Sequence, residues 1–352
     1  MNNIEYENKT SIIIPARNYD FILDNTIKKI RELYKNIKIV LILDDINIIN
    51  YSIDSNTIVL KSNLHTMSAK RNQGVLSVNS EYIALLDSDA YPKKNWLENG
   101  INFLEKNNNY TAVVGNWFNA ENDNFNQKCV RIQRFLPLFS RKEWWKIIDT
   151  SAKEQDITEF TSANVIIKRK DYIDSGLMNE LIYIAEDIEF SGRLTKLGYK
   201  LRFVPGVDVF HREAEIYPYL RKVFCCGYYY LNNIFEKYIN KNKKVYLSED
   251  FIWHTYPLIF VILYFILWIL FVCFKITLVP LFILTIFMLI PIILSSLKGL
   301  HFLKNKKLKG FITIFSISIL FCLVYVIGSF LGILNIPTKS IYKMYKHYWF
   351  LI

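Results

Sequence analysis

The sequence predicts an α/β fold, a mostly parallel sheet with flanking helices, followed by interfacial helices and an all-α transmembrane region. Three observations carry this. Short β-branched runs alternate with stretches of helical periodicity over the first 200 residues. Several of these runs stop at proline or at paired carboxylates, as buried strands do at a sheet edge. The last 102 residues, 251–352, contain no Asp, Glu or Arg and nine lysines, so they hold +9 of the net charge of +11, while the first 250 stand near balance at +2.

The first strand is Ser11-Ile12-Ile13-Ile14-Pro15, closed by proline. Residues 24–34 carry Ile27, Ile30 and Leu33 at helical spacing. The run from Lys38 to Leu43 makes a second strand that ends in Asp44-Asp45, and residues 57–60 make a third. Residues 67–78 suit a helix leading into Tyr82-Ile83-Ala84-Leu85-Leu86, which ends in Asp87-Ser88-Asp89. Strands alternating with crossover helices imply a mostly parallel sheet covered on both faces. Ligands gather beyond the carboxyl ends of such strands, so Pro15-Ala16-Arg17, Asp44-Asp45 and Asp87-Ser88-Asp89 are expected to converge. Carboxylates at i and i+2 of an extended chain point the same way and can share one hard cation. The plain alternative is a polar strand end entering a turn. Further on, residues 112–115, 164–167 and 200–204 read as strands. Residues 187–197 read as a helix with acidic residues at its start and Gly198 past its end, and His211 falls in a loop.

From 217 to 244, aromatic and basic residues interleave. This reads equally as a helix on a membrane surface or as an aromatic helix packed on the domain. Residues 255–297 hold one charge, Lys275, and are long enough for two passes, with 310–334 as a third. Five lysines within 298–309 place that loop, and with it the N-terminal domain, on the cytoplasmic side. Three passes leave Lys339, Lys343 and Lys346 outside, against the same rule, unless the tail lies along the interface. The first ten residues are polar, without a signal-peptide core. The expected organisation is a cytoplasmic α/β domain over 1–215, an amphipathic interfacial segment over 216–250, about three transmembrane helices over 251–334 and a basic aromatic tail over 335–352. The excess charge belongs to the membrane segment, which argues against nucleic acid as a partner. Five cysteines without a C-x-x-C pair argue against structural zinc and fit a reducing compartment.

In order along the chain, Ser11 to Pro15, Asp44-Asp45, Ala69-Lys70-Arg71-Asn72-Gln73-Gly74, Glu81 to Asp89, Ala163 to Arg169 and Glu186 to Arg193 resemble the family 2 glycosyltransferases with the GT-A fold, a Rossmann-like sheet. The resemblance covers roughly residues 10–211. It implies an inverting transfer from a nucleotide-sugar, with uracil the usual base. It also implies a divalent cation, Mg or Mn, held by Asp87 and Asp89, with His211 as a further candidate ligand or a structural loop histidine. Pro15, Ala16 and Arg17 would line the nucleotide pocket, and Asp44 or Asp45 would contact the base. Arg71 would approach the phosphates. Ser88, Asn164 and Glu186 would complete the donor site. Asp187 would be the general base for an acceptor hydroxyl, against the alternative of a helix-capping residue. The Q-x-x-R-W motif of processive relatives is missing after Asp187, so transfer of one sugar or a few is expected, with polymer synthesis as the alternative. The implied acceptor is lipid-linked, either a polyprenyl phosphate or a lipid-linked glycan. A membrane scaffold retaining a degenerate nucleotide domain is the non-enzymatic alternative.

Overall fold

A computed structural model describes residues 3–46, 53–62, 64–136, 148–149, 151–182, 184–238, 263, 266, 279–303 and 305–333. The chain divides into two compact units. One comprises 1–122, 146–212 and 241–248, and the other 123–145, 213–240 and 249–352.

The first unit is built on an eight-stranded sheet of order β3-β2-β1-β4-β9-β6-β10-β8. Its strands are β1 (Thr10–Pro15), β2 (Lys38–Leu43), β3 (Thr57–Lys61), β4 (Tyr82–Leu86), β6 (Tyr110–Val114), β8 (Gln155–Ile157), β9 (Asn164–Lys168) and β10 (Lys200–Phe203). Neighbours from β3 through β4 are parallel, as are β6 and β10, whereas β9 and β8 run against their neighbours. The α/β expectation with a mostly parallel sheet is therefore met. β1 and β4 are buried along their whole length, as their unbroken apolar runs require. The helices of this unit are α1 (Asn3–Lys9), α2 (Phe21–Leu33), α3 (Met67–Leu76), α4 (Trp96–Lys106), α6 (Arg169–Asp174) and α7 (Glu186–Lys196). Helix α2 starts at Asp20, whose side chain accepts from the Leu23 amide, and α3 starts at Thr66, which accepts from that of Ala69.

Register explains the convergence. Pro15 pairs with Ile42 and Ile13 with Leu85, so Arg17 stands level with Asp44 and Pro15 with Asp87. The antiparallel β9 begins where β4 ends, with Asn164 opposite Leu86.

A second sheet, absent from the sequence reading, has the order β5-β11-β7, formed by β5 (Ala90–Pro92), β7 (Trp117–Asn119) and β11 (Val209–His211). Its approach depends on Gly115: a Cβ there would lie 2.0 Å from the Val207 carbonyl oxygen. Gly115→Ala is expected to destabilise the protein by about 1–3 kcal/mol, the usual cost of overpacking. A thermal melt checks this, and an unchanged midpoint would contradict the close approach.

The second unit contains α5 (Phe125–Arg134), α8 (Ile216–Tyr238), α9 (Val279–Gly299) and α10 (Lys307–Ile333). Asn124 and Gln127 form a reciprocal capping box at the start of α5. Helix α8 runs along α10 with backbones in near contact. A Cβ at Gly328 would lie 2.2 Å from the Phe224 carbonyl oxygen, and one at Gly332 would lie 2.6 Å from that of Tyr228. Among the described residues one helix, Lys307–Gly332, is long and apolar enough to cross a membrane. Leu320, Leu323, Ile327 and Phe330 lie exposed along it. The expected pass within 255–278, the segment 239–250 and the tail 335–352 lie outside the described residues, apart from Leu263 and Ile266.

Candidate active site

The carboxyl edge of the large sheet carries two side-chain clusters, joined by consecutive residues of α3. In the first, the Ala16 amide donates to the Ile42 carbonyl at 3.0 Å, and the Asp44 amide to that of Arg17 at 2.8 Å. Beneath them the Lys70 ammonium, 2% exposed, donates to the Ala16 carbonyl at 2.7 Å and pairs with Asp44 Oδ1 at 2.9 Å. His65 Nδ1 approaches the same oxygen at 3.1 Å from the solvent side. Burial lowers the Lys70 pKa despite the opposing pull of Asp44, and burial likewise lowers that of Arg17. Pro15, Ala16, Arg17 and Asp44 thus stand together, with Asp45 joined through its amide to the Arg17 carbonyl at 3.4 Å. Asp44 Oδ1 is held on two sides, by Lys70 and by His65.

The second cluster contains Asp87, Asp89 and His211, whose candidate ligand atoms all lie within 4.8 Å of one another. His211 Nε2 is 3.6 Å from Asp89 Oδ1 and 3.9 Å from Asp87 Oδ2. The small sheet explains this meeting across more than 120 residues. β11 pairs His211 with Ala90, the residue after Asp89, and the Arg212 amide donates to the Asp89 carbonyl at 3.0 Å. Trp117, on β7, stacks on the imidazole with ring centroids 4.7 Å apart and planes inclined by 12°. The intervening Ser88 gives its carbonyl to the Thr26 hydroxyl of α2 at 2.9 Å. Two carboxylate oxygens and one imidazole nitrogen suit Mn or Mg. The residues present fit a divalent cation.

Arg71 follows Lys70 and turns to the Asp87 side. Its side chain is 3% exposed, with Nη2 donating to Asp87 Oδ1 at 2.9 Å and Nη1 to Glu186 Oε1 at 2.7 Å. Burial alone would lower the guanidinium pKa, but Glu186, Asp87 and Asp187 overcome it and raise the value. Burial, reinforced by Asp187, raises the pKa of the Glu186 carboxyl. Asp187 itself is the second residue of α7. Its Oδ2 accepts from the Ser162 amide at 3.1 Å and its Oδ1 from the Ile188 amide at 2.9 Å. The helix cap is Ala185, in left-handed backbone at φ 63° and without a side-chain cap, so Asp187 is not the capping residue.

Asn164 is placed otherwise. It is 1% exposed, and its Oδ1 accepts from the Trp96 indole at 2.9 Å while its Nδ2 donates to the Val207 carbonyl at 2.7 Å. Its side chain joins β9 to the segment that leads into β11, inside the core. Asn164→Ala is expected to leave two buried groups unpaired, each costing about 1–3 kcal/mol, and to lower the melting temperature. Nucleotide affinity per folded molecule is expected to hold, and a selective loss of that affinity would return Asn164 to the donor site. Sequence reasoning gave no role to Lys70, His65, Trp117 or Ser162. Lys70 stood inside a quoted motif, but burial of a lysine has no signature in a single sequence.

Residues 11–175 match the family model described as Glycosyl transferase family 2. A pre-mycofactocin glycosyltransferase of Mycobacterium tuberculosis is 24% identical over 164 residues, which cover 46% of this chain and 33% of that protein. A dolichyl N-acetyl-alpha-D-glucosaminyl phosphate 3-beta-D-2,3-diacetamido-2,3-dideoxy-beta-D-glucuronosyltransferase of Methanococcus voltae is 19% identical over 160 residues, covering 44% of this chain and 48% of its own. The chain thus spans less than half the length of these curated relatives. Among solved structures, GalNAc-T7 with UDP, GalNAc and Mn2+ aligns with a TM-score of 0.44 and 15% identity over 67% of this chain and 51% of that one. The mannosyltransferase PcManGT from Pyrobaculum calidifontis with GDP-Man and Mn2+ aligns with a TM-score of 0.43 and 14% identity over 64% of each.

Proposed function

We propose, from the match of residues 11–175 to the Glycosyl transferase family 2 model, that this protein moves a sugar from a nucleotide-sugar to a lipid-linked acceptor at a membrane, with inversion at the anomeric carbon. The observation that carries the reading is the joining of three features at one sheet edge: the Asp87, Asp89 and His211 trio, Asp187 at a helix start, and the Asp44 cluster.

Each part has a task in such a transfer. Arg17 and Asp44 bind and orient the nucleotide, with Lys70 keeping the Asp44 carboxylate paired and in place. Asp44, an acceptor, suits the imide N–H of uracil, and a UDP-sugar is the donor we favour. Asp87, Asp89 and His211 would hold Mg or Mn, which supplies positive charge at the diphosphate as the bond to the sugar breaks. Asp187 takes the proton of the acceptor hydroxyl during attack. Its Oδ2 is oriented by the Ser162 amide, so the carboxylate is aimed before substrate arrives. Attack from the face opposite the leaving group inverts the centre.

The lipid-linked acceptor is supported by the helix of spanning length, Lys307–Gly332. It is also supported by the Methanococcus voltae relative, whose name includes a dolichyl phosphate-linked sugar. The lysines before that helix, and those of 298–309 generally, favour a cytoplasmic catalytic face. The deciding experiment is a panel of radiolabelled nucleotide-sugars incubated with purified protein, a lipid extract and Mg or Mn. Transfer into the lipid fraction with release of nucleoside diphosphate is expected for one donor. Absence of both transfer and diphosphate release across the whole panel would sink the reading.

A further inference from the structure

Arg71 touches both halves of the chemistry proposed above. Its two terminal nitrogens are divided between carboxylates 99 residues apart in the chain, Asp87 Oδ1 at 2.9 Å and Glu186 Oε1 at 2.7 Å. The division continues through Asp87, whose Oδ1 faces Arg71 while its Oδ2 faces His211 Nε2 at 3.9 Å. Arg71 thereby fixes the Asp87 orientation in which Oδ2 lies on the His211 side.

The Glu186 end matters for a different reason. Glu186 opens α7 and Asp187 follows it. The residue before them, Ala185, occupies left-handed backbone at φ 63°, which alanine avoids, and it provides no side-chain cap. A helix start of this kind holds its position through outside contacts. At the helix start these include Arg71 on Glu186 and Ser162 on Asp187, while the body of α7 is anchored by the buried Phe190 and by Arg193 on the Ser175 and Leu177 carbonyls.

We propose that Arg71 is a positioning residue that ties the metal ligand Asp87 to the helix start carrying Asp187, so that one guanidinium sets both metal affinity and the aim of the base. This rests on the metal-and-base reading given under Proposed function. The role needs a planar fork with two separated donors. Lysine offers a single point charge and can serve Asp87 or Glu186, but not both in this geometry.

The test uses the purified full-length protein with Mn2+ as the probe. Binding is followed by calorimetry and by quenching of tryptophan fluorescence, since Trp117 lies on the His211 ring. Arg71→Met is expected to weaken Mn2+ binding by about 10–100-fold, the range seen when an outer partner of a metal ligand is removed. Arg71→Lys is expected to keep Mn2+ affinity within about threefold by pairing with Asp87 alone, yet to lose about 10–100-fold in kcat with donor KM little changed. A purely structural arginine would instead be rescued in both readouts by lysine once the fold is restored. Wild-type Mn2+ affinity in Arg71→Met, or wild-type kcat in Arg71→Lys, overturns the proposal. If Arg71→Met does not fold, as judged by its melt, the kcat and KM of Arg71→Lys decide alone. A wild-type protein that binds no Mn2+ overturns the metal reading itself and this inference with it, which is distinct from failure of the Arg71 link.

Discussion

Asp187→Asn is expected to lower kcat for a sugar-hydroxyl acceptor by about 10²–10⁴-fold, the usual contribution of a positioned general base. The substitution nearly preserves shape, and Asp187 is half-buried, so large packing changes are not expected. It replaces the carboxylate that would take the proton with a neutral amide too weakly basic to do so. It also sets an amide N–H₂ against one of two backbone donors, since Ser162 donates to Oδ2 and Ile188 to Oδ1. Nucleotide affinity is expected to stay close to wild type, because the Asp44 cluster and the metal trio are untouched. Initial rates and equilibrium binding of the nucleoside diphosphate separate the two effects. A near-normal rate on a hydroxyl acceptor would rule out the base role. The same variant also sorts acceptors by class, since a phosphate acceptor arrives ionised and needs no base.

Asp89→Ala is expected to abolish metal-dependent nucleotide binding and to reduce transfer by about 10³-fold, corresponding to several kcal/mol of charge stabilisation at the diphosphate. Among the two aspartates, Asp89 is the more enclosed, 14% exposed against 35% for Asp87, and lies nearer to His211. Its backbone is held independently of its side chain, through the Arg212 amide and the pairing of β5 with β11 that begins at Ala90. The variant is therefore expected to fold, and its loss to be read in ligand binding. Titration of Mn2+ in the presence and absence of UDP checks this. Unchanged metal-dependent binding would remove Asp89 from the ligand set and favour a non-catalytic role for the domain.

The contrast between Asp87 and Asn164 shows where reading a single chain stops. Asp87 was legible as a candidate because its paired carboxylates end an apolar strand and fall in order with Asp44-Asp45, Arg71 and Asp187 along the chain. Asn164 also opens a strand in a matching motif, but its amide is taken up by Trp96 and Val207. An asparagine that binds a ligand and one that braces a core look alike in sequence. Arg71 shows the intermediate case. Its presence at the site followed from its motif, whereas its commitment to Asp87 and Glu186 depends on residues about 16 and 115 positions away being brought to one edge.

Local order in the chain was enough to establish the alternating strands and helices, the parallel β1 to β4 edge where the acidic motifs converge, and the lysine-only apolar end. These follow from side-chain periodicity and from residues that stop strands, and both act over a few positions. Three things needed the folded chain. The small β5, β7 and β11 sheet comes from strands of three residues each, too short to leave a periodic signal, yet it alone carries His211 and Trp117 to Asp87 and Asp89. The burial of Lys70 and Arg71 depends on which side of α3 meets the sheet edge. The pairing of α8 with α10 rests on three glycines, Gly227, Gly328 and Gly332, separated by about 100 residues of chain. In each case the deciding contact joins segments distant in sequence, and such contacts are set by packing and register, which the order of residues constrains only through the whole fold.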